Sequence, residues 1–116
     1  MGIVSGLARD EKAPLSPCVD YVFFVRDSTW GGYLPGRKKL APTSAAMVSV
    51  SSEIVGIGGG EVSRDELLAA RKMGKPVAFF PADMNHQMAR EKAANKGQPE
   101  PSDFRGAADA VFRKTP

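Results

Sequence analysis

Ile54-Val55-Gly56-Ile57-Gly58-Gly59-Gly60-Glu61-Val62-Ser63-Arg64-Asp65-Glu66 holds the change of pattern that decides the fold. Its first half is apolar and β-branched, the composition of a buried strand. Three glycines follow, and then Ser-x-x-Glu opens a helical pattern in which Ser63 is placed to cap and Glu66 to close a capping box. The order strand, glycine turn, helix puts unhindered backbone amides and a helix N-terminus at the end of a strand. Anions are bound at such places, because peptide dipoles and unpaired amides both favour negative charge.

Outward from this block, the pattern predicts a strand over 53–58, a helix from Asp65 to Met73 and a stop at Gly74 and Pro76. Val77 to Phe80 reads as a further strand, ended by Pro81. Upstream, Thr43 to Ser51 reads as a short helix begun near Pro42, and Val19 to Val25 as a strand. The runs Val22–Val25 and Val77–Phe80 have the continuous apolar character of strands buried on both faces. Downstream, Asp83 or Asn85 starts a helix that runs to about Lys96 before Gly97. Gln98 to Pro101 is a stiff connector, and Ser102 caps a last helix carrying Phe104, Ala107, Ala108, Val111 and Phe112 on one face. Residues 1–17 read either as a truncated first strand with its loop or as an arm. Strands alternating with helices predict one α/β domain over 1–116, Rossmann-like, three-layered, with a short and mostly parallel sheet.

Composition narrows the class. A net charge of +3 with interleaved acids and bases argues for a solvated surface rather than a nucleic-acid partner. Cys18 is the single cysteine, which excludes an intrachain disulfide and fits a reducing, cytoplasmic setting. No apolar run has the length of a bilayer span, and the N-terminus lacks the pattern of a secretory leader. A small sheet with exposed edges and an apolar last helix predict a homodimer or higher oligomer.

The candidate ligand residues follow from position. Gly58, Gly59 and Gly60 lack the Cβ atoms that keep a phosphate from the backbone. Ser63 offers a hydroxyl donor and Glu66 an acceptor for ribose hydroxyls, although both also suit a helix cap that needs no ligand. Asp83, Asn85 and His86 follow the last strand at the sheet edge where ligands collect. His86 suits acid, base or phosphate-donor work, or a plain surface role, and Asp83 and Asn85 are equally good N-caps. Trp30 and Arg37 lie in the long connection 26–41, which reads as a functional loop or a disordered one. Met84 and Met88 read as core-facing. No set of residues has metal-ligand spacing, so no metal or bound cofactor is expected, and a nucleotide enters only as ligand or substrate.

Met47 to Pro81, roughly a third of the chain, resembles the core of the SLOG superfamily, the Rossmann-like group that contains the LOG ("lonely guy") proteins. That family has a short helix, a strand ending in Pro-Gly-Gly-x-Gly-Thr-x-x-Glu, a helix, and Gly-Lys-Pro before the next strand. Gly59, Gly60, Ser63 (for Thr) and Glu66 match in register, as do Gly74-Lys75-Pro76; Gly58 stands for the proline and Val62 for the later glycine. The resemblance implies a loop that binds a nucleotide phosphate, with Glu66 near the ribose. It also implies a possible N-glycosidic hydrolase acting on a nucleoside monophosphate or ADP-ribose-like substrate, with Glu66 as the catalytic carboxylate. LOG hydrolases carry an arginine on the preceding helix, and its place here falls near Thr43 on a helix without basic residues. Nucleotide binding is therefore the leading expectation. Hydrolysis is the alternative, and a non-catalytic oligomeric interaction protein the second alternative.

Overall fold

The computed structural model describes residues 1–112. Its elements are β1 (Gly2–Ser5), α1 (Gly6–Asp10), β2 (Val22–Val25), α2 (Pro42–Val50), β3 (Ile54–Ile57), α3 (Glu61–Lys72), β4 (Val77–Phe80), α4 (His86–Asn95) and α5 (Ala107–Phe112). It is a small α/β fold built on two βαβ units. The N-terminal stretch forms a strand and a turn of helix, so it is not an arm. The strands pair in parallel as expected, but the ladders are separate: β1 with β2 and β3 with β4. Val19 donates its amide to the Ser16 carbonyl in a turn, which delays β2 until Val22.

The core is formed by Val48, Ile54, Leu67, Ala70, Ala108 and Phe112, with Met47, Val77 and Phe79 packed against it. Gly56 makes room for Leu67, since a Cβ there would lie 2.6 Å from Leu67 Cδ1. Phe79 and Phe112 stack at 5.6 Å between centroids, which fastens α5 to β4. The expected burial of the strands on both faces is not found. Side chains alternate across a strand, and the face of β3–β4 away from this core leaves Val55, Ile57 and Phe80 at 55%, 72% and 58% exposure. Phe23 and Phe24 of β2 are exposed too. Met88 is also exposed, not core-facing, because α4 buries only Ala93.

α2 has poor intrinsic helix propensity, with Thr, Ser and Val at five of its nine positions. Distant side chains hold both its ends. At the N-terminus Asp27 Oδ2 accepts from the Thr43 amide at 2.9 Å and from Thr43 Oγ1 at 2.6 Å. At the C-terminus Lys75 Nζ donates to the carbonyls of Val48, Ser49 and Ser51. An acid at the positive end and an ammonium at the negative end both complement the helix dipole.

Two helix starts differ from expectation. α3 begins at Glu61, with Gly60 as N-cap and no side-chain cap bond, rather than at Asp65 under Ser63. α5 begins at Ala107 rather than after Ser102. The reason for the second is visible: Asp83 and Arg105 form an antiparallel bridge and the Met84 amide donates to the Phe104 carbonyl, so this backbone is committed to extended pairing. α4 starts where expected, with Asn85 Oδ1 accepting from the Met88 amide at 2.9 Å. Replacing Lys75 by Met keeps the stem and removes the donors, leaving the α2 carbonyls to water. The expected loss is about 2 kcal/mol, read as a fall of several degrees in Tm. Lys75→Arg should recover part of it.

Candidate ligand site at the glycine loop

The turn from β3 into α3 needs glycine at its first two positions. Gly58 has φ +61° and Gly59 φ +112°, both in the region that side chains disfavour. A Cβ on Gly58 would lie 2.8 Å from the Ala82 carbonyl oxygen, and one on Gly59 2.5 Å from Ser63 Cβ. Gly60 differs. Its φ of −94° and ψ of −150° are ordinary extended values, and a Cβ there meets only Met84 Cε at 3.7 Å.

The capping box expected of Ser63 and Glu66 does not form. Because α3 opens at Glu61, Ser63 is its third residue and Glu66 its sixth, too far along to cap. Ser63 instead packs against Gly59. Glu66 accepts from Ser44 Oγ at 2.7 Å, and Ser44 Oγ, fully buried, accepts from the Gly32 amide at 2.7 Å. Burial pushes the Glu66 carboxyl above its usual range, the Ser44 bond offsets part of that, and neighbouring Asp65 adds to it. Asp65 accepts from the Tyr33 amide at 2.9 Å and pairs with Arg64 at 3.1 Å.

These bonds settle the long connection 26–41. Asp27, Ser44 and Asp65 pin it, and Gly31 and Gly32 lie against Val62 and Asp65 of α3. It is an ordered loop. Arg37 sits on its exposed tip between Pro35 and Lys39, and Trp30 is 52% exposed at its base. Asp83 and His86 pair at 3.1 Å in an exposed position, and the His86 ring stacks on Phe104 at 3.8 Å. Asn85 is spent as the α4 cap.

The structure therefore brings Gly58, Gly59 and Gly60 together as one turn, with Ser63 of α3 against it and Ala82 and Met84 at its border. Glu66 is directed to Ser44 rather than to this loop. The close approach of residues 106–108 to this turn has no counterpart in the sequence pattern. The Ala108 amide donates to the Gly59 carbonyl at 3.2 Å, and a Cβ on Gly106 would lie 2.0 Å from that oxygen. Gly106 carries no sequence signal beyond being a glycine. Among the described residues no three His, Cys, Asp or Glu side chains are grouped to hold a metal ion.

Two carboxyls give the fold opposite pH dependences. Burial works against the Asp27 anion, but the bonds from Thr43 and Thr29 outweigh it and bring the carboxyl down to about 2. Its contribution is present above the ordinary Asp pKa and is lost as pH falls towards 2. Glu66 is shifted the other way, so its contribution is present below the ordinary Glu pKa and is lost as pH rises through the shifted value. Thermal melts across pH should show Asp27→Asn flattening the acid limb and Glu66→Gln flattening the decline above the ordinary Glu range. Unchanged limbs in both variants would contradict these assignments.

Comparison of the chain with models of known protein families gave no match, and neither did comparison with curated proteins or with solved structures.

Proposed function

We propose that the loop Gly58-Gly59-Gly60 and the first turn of α3 bind the phosphate of a nucleotide or nucleotide-derived ligand. The observation that carries this reading is the open start of α3: a helix of 12 residues begins on a glycine N-cap with no side-chain cap bond. The competing explanation of the sequence pattern, a self-sufficient Ser63–Glu66 cap, is removed by the position of the helix start. First-turn amides with no side-chain acceptor, at the positive end of a dipole, favour an anion by both charge and hydrogen bonding. Glu61 opposes this by its charge, but its side chain is exposed and screened.

The resemblance of Met47 to Pro81 to the SLOG core supports the same reading, since that family binds a nucleotide phosphate at the corresponding loop. Hydrolysis of an N-glycosidic bond is the second reading, and the raised Glu66 pKa favours it, because a carboxyl that holds its proton longer suits acid catalysis. Its bond to Ser44 directs that carboxyl elsewhere, so binding is preferred. No helix among the described residues is long and apolar enough to cross a membrane. A cytoplasmic setting and self-association through the exposed apolar face of β3–β4 complete the reading.

Gly60→Asp is the sharpest test. Its backbone accepts a side chain, and an Asp N-cap occupies the amides with its own carboxylate. The variant should fold with unchanged or slightly higher Tm. Wild type should be stabilised by inorganic phosphate or AMP, by roughly 2.7 kcal/mol at a hundred times Kd, and Gly60→Asp should lose that gain. A phosphate-dependent shift that survives in Gly60→Asp would exclude this loop as the site.

A further inference from the structure

A cleft of about 820 Å³ lies beyond the C-terminal end of β2, between α1 and the start of the 26–41 loop. It does not include the glycine loop. It is lined by Arg9 and Asp10 of α1 and by Phe24, Arg26, Asp27 and Ser28. The volume falls in the range of small-molecule sites.

Its charged groups are unequally committed. The Asp27 carboxylate is fully engaged: Oδ1 accepts from Thr29 N and Oγ1, and Oδ2 from Thr43 N and Oγ1. Neither Arg9 nor Arg26 forms an ion pair with a carboxylate among the described residues, whose pairs involve Arg64, His86, Arg90 and Arg105. Arg9 is also pre-oriented. Its guanidinium lies over the Phe24 ring, 5.2 Å from the centroid. A stacked guanidinium keeps its N–H edge and its outer face free, and it gives up less side-chain freedom when an anion is taken.

We propose that this cleft is a binding site for a small anion that carries a planar ring, with a nucleoside monophosphate as the fitting class. The phosphate meets the guanidinium edges of Arg9 and Arg26, where bidentate pairing is available. The ring lies on the outer face of the Arg9–Phe24 stack. Asp10, at the end of α1, supplies an acceptor for a ring amino group. The cleft is separate from the glycine loop and does not rest on the reading of that loop.

The test uses the whole chain, AMP as probe, and adenosine and inorganic phosphate as its two halves. Amide shifts in a 1H–15N spectrum are followed during titration of wild type, Arg9→Ala/Arg26→Ala and Gly60→Asp. Both arginines are exposed, so the double variant should fold, which a melt verifies. AMP is expected to shift residues 6–10 and 24–29, and to bind at least tenfold more tightly than adenosine or phosphate. Affinity at those residues should fall at least tenfold in the double alanine variant and stay within twofold in Gly60→Asp. Shifts confined to residues 58–63 that disappear in Gly60→Asp and persist in the double variant would overturn the cleft while supporting the glycine loop. Absence of saturable AMP shifts at residues 6–10 and 24–29 would overturn it as well.

Discussion

The capping of α2 from outside itself is the constraint on which the rest of the structure depends. Nine residues of modest propensity cannot hold a helix in water. Asp27 and Lys75 supply what the local sequence lacks, one at each end of the dipole. These two side chains also do more than stabilise one helix. Asp27 lies two residues after the end of β2, and Lys75 immediately precedes Pro76 and β4, so α2 is tied at its two ends to both βαβ units. The hydrogen-bond ladders of the two strand pairs are separate; α2 supplies a polar connection between the units.

That placement of α2 determines what the candidate site can do. Ser44, in the first turn of α2, joins the Gly32 amide to the Glu66 carboxylate. Thr43, beside it, engages Asp27. The loop 26–41 is thereby laid against the first turns of α3, and Glu66 is directed to the helix–helix contact. A carboxylate held this way lends itself to positioning a loop more readily than to chemistry at the glycine turn. The Gly-Lys-Pro block gains a structural meaning of its own: Gly74 takes the left-handed conformation that ends α3, with φ +81°, and Lys75 caps α2.

Local signals in the sequence carry through to the structure, and distant interactions leave no local signal. Val77–Phe80 is a strand to the residue, and Asn85 caps α4, because apolar runs beside proline and Asn-x-x patterns act within a few residues. The strand faces are not legible in the same way, since an apolar run shows that a side chain tolerates burial, not that a layer exists to bury it; Val55, Ile57 and Phe80 remain exposed. α3 begins earlier than Ser-x-x-Glu suggests, because that pattern is a helix signal wherever it falls, whereas the glycine turn fixes where the chain first becomes helical. α5 begins later than its apolar pattern suggests, because pairing of Asp83 with Arg105 competes for the same backbone. Asp27, Ser44 and Lys75 act across 12 to 27 positions, and no spacing rule reaches that far.

The three consecutive glycines divide into two kinds. Gly58 and Gly59 are required by the fold, because their φ values and the nearby Ala82 and Ser63 exclude a side chain. Gly60 is not: its backbone is ordinary and the space beside it is open to 3.7 Å. Ser, Asp or Asn would cap α3 there and gain a few tenths of a kcal/mol over glycine. Glycine at the one of the three positions where a side chain would fit leaves the first-turn amides of a 12-residue helix without a side-chain acceptor. The steric argument that explains the first two glycines does not extend to the third, and the phosphate binding proposed at those amides supplies an account where sterics supply none.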